Sequence, residues 1–334
     1  MFLTASQIPD LESALVALLG QVPEGKATTH GRLAAALGDR IAARWVGHWV
    51  LHHRHTPGCP CHRVVRVDGS CAAYIAGSSD DKLARLAAEG VQITGGRVDL
   101  ERSGFEAFRS KRPLVELRSI QQAMVEQYSQ QPPTHRLETV AGLDISYVNP
   151  RRAVAAYVLL DRGSREVIWT TTLTGEVRFP YVTTYLAFRE LPLLWALWEK
   201  ATESGFAADA YLVDGSGILH QRHAGIATCF GVTSDVPTVG VTKKLLCGRL
   251  DEDRLPAGQW CYVREGAQAT GAALWPTDKS RKPIYASPGH RMSVDLAAQL
   301  TQEMMHGHKL PKPLYWADRL SRQEARRRSG AMAE

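Results

Sequence analysis

The chain has 334 residues, 44% of them hydrophobic and 22% charged. That balance suits about two packed domains and excludes a wholly disordered chain. Lysine and arginine exceed aspartate and glutamate by 40 − 34 = 6, an excess that favours a polyanionic partner. The first basic residue is Lys26, so a charged secretory leader is not expected. The longest apolar runs, such as Leu191 to Trp198, are too short to cross a bilayer. Six cysteines follow no regular spacing, unlike a disulfide framework. The expectation is a reduced, cytoplasmic protein that needs neither membrane nor protein partner.

Leu11, Leu15, Leu18 and Leu19 mark one apolar helical face. Thr28 or Thr29 can cap a second helix over His30 to Leu37, and Gly38 can end it. A third helix is predicted from about Ile41 to Trp49, which makes the pair a helix-turn-helix. A loop over His52 to Asp68 precedes a helix from Asp80 to Glu89. Between Gly95 and Pro113 the apolar period lapses, and a linker over 96–112 is expected between domains 1–95 and 113–334. An amphipathic helix from Val115 to Tyr128 follows. Three β-branched runs come next, Val140 to Tyr147, Ala153 to Leu160 and Glu166 to Leu173. A helix over Thr183 to Thr202 leads to a strand, Ala210 to Asp214, after which helix and strand are expected to alternate. Three meandering strands and then α/β alternation give the α/β class and the element order of a ribonuclease H-like fold.

Three acids stand where acids are unexpected. Asp144 interrupts the strand Val140 to Ile145, Asp214 ends an apolar strand, and Glu190 lies on a helix face with Leu186, Leu193 and Leu194. A buried carboxylate needs a cation or a hydrogen-bond partner. Acids converging from separate elements suit Mg²⁺, a hard ion that takes oxygen ligands and supports phosphodiester hydrolysis. The simpler alternative for each is an acid that caps the next turn.

Phe179-Pro180-Tyr181, Phe188-Arg189-Glu190, Val213-Asp214-Gly215-Ser216-Gly217-Ile218-Leu219-His220, Val239-Gly240-Val241-Thr242-Lys243, Ser287-Pro288-Gly289-His290-Arg291 and Leu310-Pro311-Lys312-Pro313 occur in the order of the endonuclease V family. The chain resembles that family over about residues 113–327. The resemblance implies a metal-dependent nuclease, with Mg²⁺ or alternatively Mn²⁺, that cuts the second phosphodiester 3′ to a deaminated adenine. Its partner would be damaged, inosine-containing DNA, with inosine-containing RNA as a further possibility. It carries the metal-binding acids onto Asp144, Glu190 and Asp214, and positions near the scissile phosphate onto His220 and Lys243. Tyr181 falls on the wedge aromatic that fills the gap left by an unstacked base; the alternative is a core tyrosine beside Pro180. Two departures stand out: Val182-Thr183-Thr184 replaces Ile-Pro-Gly after the wedge, and Asp318 replaces a C-terminal histidine. A fourth carboxylate there favours a further metal ligand over acid catalysis; the alternative is a solvent-facing acid near Arg319 and Arg322.

Pro60-Cys61-His62-Arg63-Val64-Val65 is a compact nucleophile candidate, because a thiolate forms where an imidazole takes the proton and an acid orients that imidazole. With the turn-helix from Thr28 to Gly38 and Ala42-Ala43-Arg44-Trp45-Val46-Gly47, it resembles the O6-alkylguanine-DNA alkyltransferases over residues 9–92. The resemblance implies a winged-helix-like DNA-binding domain and transfer of an alkyl group from O6-alkylguanine to Cys61. His62 would be the base and Glu89 its orienter, Arg44 would replace the flipped nucleotide, and Tyr74 and Gly77 would belong to the binding loop. His30, His48, His53 and Ile75 depart from the family pattern, and a non-catalytic alkylguanine-sensing module is the rival reading. His52, His53, His55, Cys59, Cys61 and His62 also crowd one stretch, but Cys-x-Cys lacks the usual zinc spacing and no second pair follows. Cys71, Cys229, Cys247 and Cys261 are expected as small buried hydrophobes.

Overall fold

The computed structural model describes residues 8–56, 58–251, 255–256, 258–277, 280 and 282–330. Contacts divide these residues into two units, 8–119 with 179–183, and 120–178 with 184–330.

In the first unit, α1 (Leu11–Leu19) buries all four leucines of its apolar face. Thr29 caps α2 (His30–Leu37) by accepting from the Arg32 N–H at 3.1 Å, and Gly38 ends it at φ 110°. Left-handed backbone favours glycine there, and a Cβ would also meet Val115 at 2.9 Å. A 3-10 turn (Arg40–Ala42) leads into α3 (Ala43–His52), which buries Trp45, Val46, Trp49 and Val50 and leaves Arg44 exposed. The α2–turn–α3 pair is the predicted helix-turn-helix. β1 (Thr28–Thr29) pairs in parallel with β2 (Val64–Val65), which directly follows a 3-10 turn over Pro60–Arg63. α4 (Ser79–Ala88) starts in a reciprocal cap between Ser78 and Asp81. β3 (Ile93–Thr94) and β4 (Arg97–Val98) make a short hairpin.

The segment expected as a linker is built into this unit. The Ala27 N–H donates to Ser103 O and the Phe105 N–H to Ala27 O, both at 2.8 Å, and Val98 and Ser103 are buried. Its sparse apolar residues are enough because its backbone pairs with the β1 segment. The boundary falls at 119/120, within α5 (Pro113–Glu126).

The second unit is a nine-stranded mixed sheet in the order β10-β11-β12-β13-β9-β8-β5-β6-β7. β5 (Thr139–Asn149), β6 (Arg152–Asp161) and β7 (Val167–Glu176) form the predicted antiparallel meander. β8 (Ala210–Asp214) adds in parallel to β5, and β9 (Thr238–Thr242) in parallel to β8. The expected alternation stops there. β10 (Arg249–Leu250), β11 (Trp260–Glu265), β12 (Gln268–Leu274) and β13 (Ile284–His290) follow β9 with no helix between them among the described residues. They pair antiparallel, so short turns can join them and no crossover helix is required.

Helices cover both faces. α8 (Val294–Glu303) and α9 (Lys312–Gly330) lie on one, and α6 (Leu186–Glu203) and α7 (Ile226–Ser234) on the other. Strand residues alternate between faces. Val140, Leu212, Val239 and Val241 join Ala298, Leu300 and Leu314 in the core beneath α8 and α9. Tyr211 turns the other way, with its ring 5.8 Å from Phe230 of α7. α9 begins against Gly142 of β5, where a Cβ would sit 2.3 Å from the Pro313 backbone. That close approach sets the height at which the rest of α9 crosses the sheet.

Candidate active sites

The register fixes the carboxylate site. Leu143 of β5 pairs with Val213 of β8, so Asp144 and Asp214 are the next residues on neighbouring parallel strands. Period two places Asp144 on the face of Val140 and Gly142, and Asp214 on that of Ala210 and Leu212. Both are under α9. Asp318 of α9 completes the group: one oxygen from each of Asp144, Asp214 and Asp318 lies within 4.8 Å of the others. Burial, then the neighbouring Asp214 charge, pushes the Asp144 carboxyl well above the usual range.

Other side chains hold these acids. Ser321, one helical turn beyond Asp318 and fully buried, donates to Asp144 Oδ2 at 2.5 Å and lies 2.8 Å from Ser146 Oγ. Lys243, just past β9 on the same face, brings Nζ to 3.6 Å from Asp214 Oδ2 and 3.9 Å from Asp318 Oδ1. Arg322 reaches Asp318 Oδ1 at 2.9 Å. A cleft of about 340 Å³ opens beside them, lined by Ser146, Tyr147, Arg322, Ala325, Arg326 and Ser329. Asp318 thus belongs to the cluster and pairs with an arginine, which joins the two alternatives read from the sequence.

Glu190 is placed differently. It comes from α6 on the opposite face, is not among the three gathered carboxylates, and accepts from the Tyr147 hydroxyl at 2.5 Å. Burial pushes it up to about 7, with Asp214 adding to the rise, although Tyr147 donates to it. Arg189 donates to the same hydroxyl at 3.0 Å and stacks on the Tyr147 ring. His220 is buried. Its Nδ1 accepts from the Arg222 N–H at 3.2 Å, and burial, with Arg222 and His223 nearby, pushes it down to about 4, so the ring is neutral. Tyr181 is 61% exposed between buried Phe179 and Val182, which excludes the core-tyrosine alternative. Thr184, at the position of the family glycine, has φ 68°, a left-handed conformation costly for a β-branched residue. Arg222 donates to its carbonyl at 2.7 Å and its hydroxyl at 2.6 Å, and buried Gln121 donates to the same carbonyl at 3.0 Å.

In the first unit, Cys61 is fully buried in the 3-10 turn. His62 Nε2 lies 2.6 Å from Glu89 Oε1, and its buried Nδ1 has no partner among the described residues. Arg63 clamps Glu89 at 2.7 and 3.1 Å. Burial raises Glu89, but the bonds from Arg63 and His62 outweigh it and hold the group below the usual carboxylate range. Cys61 Sγ lies 3.5 Å from His55 Nδ1. Burial pushes the Cys61 thiol far up, and the adjacent Cys59 adds to this. Tyr74 is buried in a tight turn closed by backbone bonds with Gly77 at 3.1 and 3.2 Å. Lys82 lies over its ring, 2% exposed, and donates to Val64 O. Cys229 and Cys261 are buried as expected, whereas Cys71 and Cys247 are only half-buried.

Ser321, Tyr147, Arg63 and Lys82 were not singled out from the sequence. Ser321 lies three residues after Asp318 on α9, a helix that was not singled out from the sequence. Tyr147 likewise lies on the Asp144 strand with opposite parity.

Two family models match the chain: "Endonuclease V" over residues 119–319 and "6-O-methylguanine DNA methyltransferase, DNA binding domain" over residues 10–91. A bifunctional methyltransferase/endonuclease of Picrophilus torridus is 33% identical over 301 residues, covering 90% of this chain and 92% of that protein. The catalytic domain of human endonuclease V is 31% identical with a TM-score of 0.62, covering 66% of this chain and 99% of that one. Endonuclease V of Ciona intestinalis, solved with DNA containing an inosine followed by a ribo-adenosine, is 26% identical with a TM-score of 0.57, covering 64% and 98%. The chain therefore belongs to the endonuclease V family, as a bifunctional DNA-repair enzyme that carries an alkyltransferase-like domain ahead of its nuclease.

Proposed function

We propose that the second unit hydrolyses the second phosphodiester 3′ to a deaminated base in DNA, using Mg²⁺, replaceable by Mn²⁺. The observation that carries this reading is the convergence of buried Asp144 with half-buried Asp214 and Asp318 on one face of the sheet. Three hard oxygen donors so close repel one another, and a hard divalent cation relieves that repulsion. When bound, such an ion supplies an activated water and neutralises charge on the phosphate oxygens. Ser321 fixes the orientation of Asp144, and Lys243 offers an ammonium between Asp214 and Asp318 for the phosphate. Glu190 serves as an anionic neighbour held by Tyr147. Arg322 and Arg326 line a cleft suited to the DNA backbone. The strand order β7-β6-β5-β8-β9 supports a ribonuclease H-like core. Cleavage of duplexes containing inosine, uracil or O6-alkylguanine tests the proposal, and inosine should be cut fastest. A ribo-inosine substrate cut faster than its deoxy counterpart would turn the reading to RNA.

Two outcomes are specific to this chain. Asp318→Ala should raise the Mg²⁺ concentration needed for half-maximal cleavage, while Asp318→His should retain activity with an altered Mg²⁺/Mn²⁺ preference. Metal titrations of the cutting rate check both, and an alanine variant with the parent's metal dependence would place Asp318 outside the site. Tyr181→Ala should weaken discrimination of damaged from intact DNA by about 1–3 kcal/mol, the worth of an aromatic stack on a base. Binding isotherms on the two duplexes measure it, and equal losses on both would count against the wedge.

We further propose that the first unit transfers an alkyl group from O6-alkylguanine to Cys61. A sulfur–carbon bond forms as the carbon–O6 bond breaks, and the guanine leaves with the electron pair and takes a proton. The His62–Glu89 pair, braced by Arg63, supports this reading, because the free Nδ1 of His62 remains available to accept the thiol proton. Exposed Arg44 on the first turn of α3 is assigned to the gap left by the flipped nucleotide, and Tyr74 to the lesion base. Incubation with DNA bearing a radiolabelled methyl group should label the protein covalently. An unlabelled protein that still binds the lesion would be the non-catalytic sensor.

A further inference from the structure

His53 ends α3, His55 follows in the loop, and Cys59 and Cys61 enter the 3-10 turn. Of the six histidines and cysteines crowded into this stretch, the structure brings four together. One ligand atom from each of His53, His55, Cys59 and Cys61 lies within 4.8 Å of all the others. His52 and His62 are engaged elsewhere, with the His48 carbonyl and with Glu89.

The distances fit a single ion. Cys59 Sγ lies 3.4 Å from His53 Nε2, and Cys61 Sγ 3.5 Å from His55 Nδ1. A tetrahedral Zn²⁺, with bonds of about 2.3 Å to sulfur and about 2.0 Å to nitrogen, separates neighbouring N and S ligands by about 3.5 Å. The His53 ring is already oriented for this. Its Nδ1 faces the carbonyls of Trp49 at 3.1 Å and Val50 at 3.2 Å, so Nδ1 carries the proton and the Nε2 lone pair points at Cys59. A second-sphere carbonyl of this kind sets the tautomer of a metal-binding histidine. The short Cys-x-Cys spacing is no obstacle, because the other ligand pair comes from the end of the preceding helix.

We propose that His53, His55, Cys59 and Cys61 form a tetrahedral site for a borderline-soft divalent cation, Zn²⁺ above all. Thiolate and imidazole donors select such an ion, whereas the carboxylates of the nuclease unit select a hard one. The chain thus holds two sites for different ions. On ligation each thiol releases its proton to solvent. The ion ties the end of α3 to the turn that carries Cys61 and holds that sulfur as a thiolate. The inference rests on this geometry and not on either proposed activity.

The test uses the reduced, metal-stripped full chain titrated with Co²⁺. About one equivalent should produce a thiolate-to-cobalt charge-transfer band with the visible bands of a tetrahedral ion, and Zn²⁺ should bleach both. Cys59→Ser and His55→Ala should each weaken binding by about a hundredfold or more, whereas Cys247→Ser should leave the band intact. The two variants alter opposite ends of the loop, so one that fails to fold leaves the other decisive. Absence of the charge-transfer band from the parent chain overturns the proposal. So does a band of undiminished affinity in whichever of the two variants folds.

Discussion

Asp144→Ala and Asp214→Ala are each expected to lower the rate of cleavage of inosine-containing duplex by about a thousandfold or more, while affinity for that duplex largely survives. Each substitution removes one anionic donor from the trio of carboxylates, and a metal-centred loss of several kcal/mol in transition-state stabilisation gives a factor of that size. Binding depends on other groups: exposed Tyr181, and Arg322 and Arg326 beside the cleft. Stability should move the other way. Asp144 is a buried carboxylate beside two more, so in the absence of metal its removal relieves repulsion, and Ser321 keeps Ser146 Oγ and the Asp318 carbonyl as partners. An inactive variant with a Tm at or above the parent's is therefore the expected pair of results, because the site sacrifices stability for charge density. Single-turnover cleavage, a binding isotherm and thermal unfolding on the same preparation check it. Normal cutting by either variant in Mg²⁺ would sink the assignment.

How much of this site was legible depended on how far each contact reaches along the chain. Asp144 and Asp214 stand out in sequence because each breaks an apolar strand, and the parallel pairing of β5 with β8 makes them neighbours. Glu190 stands out because it interrupts an apolar helix face, yet strand parity puts Asp144 beneath α9 while α6 covers the other face. Glu190 therefore meets Tyr147, the residue of opposite parity on the Asp144 strand. An acid's oddity in sequence reports burial but not the face on which it is buried. The bonds that join Gln121, Thr184 and Arg222 span 63 and 38 residues, and no local period encodes them.

The first unit shows the same division. Caps and apolar faces gave α1, α2 and α3, since these depend on residues within a few positions of one another. Residues 96–112 read as a linker because much of their anchoring is backbone pairing, to Ala27, Gly69 and Gln92, and the few buried side chains such as Val98 follow no period. The histidines and cysteines of 52–62 could be counted from sequence, but which four converge is decided by the angle at which α3 ends. Spacing rules drawn from other metal sites do not report the approach of His53 and His55 to this pair, because those histidines come from the end of α3 and the loop after it.

Cys61→Ser is expected to abolish alkyl transfer entirely while nuclease activity stays at the parent's level. In the metal-free chain the buried Cys61 thiol is held far above its ordinary pKa, so there it attacks only if a neighbouring group removes its proton. Two imidazoles are nearby, one by contact and one by sequence. His55 is in contact through Nδ1, and His62 is charge-supported by Glu89 and Arg63. A serine hydroxyl in the same place has a higher intrinsic pKa and an oxygen that is a weaker nucleophile towards an alkyl carbon, so neither imidazole can rescue it. The nuclease acids belong to the second unit, and Ser321, Lys243 and Arg322, which hold them, belong to it too. The measurement pairs covalent labelling from radiomethylated DNA with cleavage of inosine-containing duplex in one preparation, with parent and Glu89→Gln alongside. Glu89→Gln removes the charge that supports His62 and should slow labelling without abolishing it, which separates an orienting acid from the acceptor itself. Labelling that persists in Cys61→Ser would move the acceptor to Cys59, the other thiol of the turn.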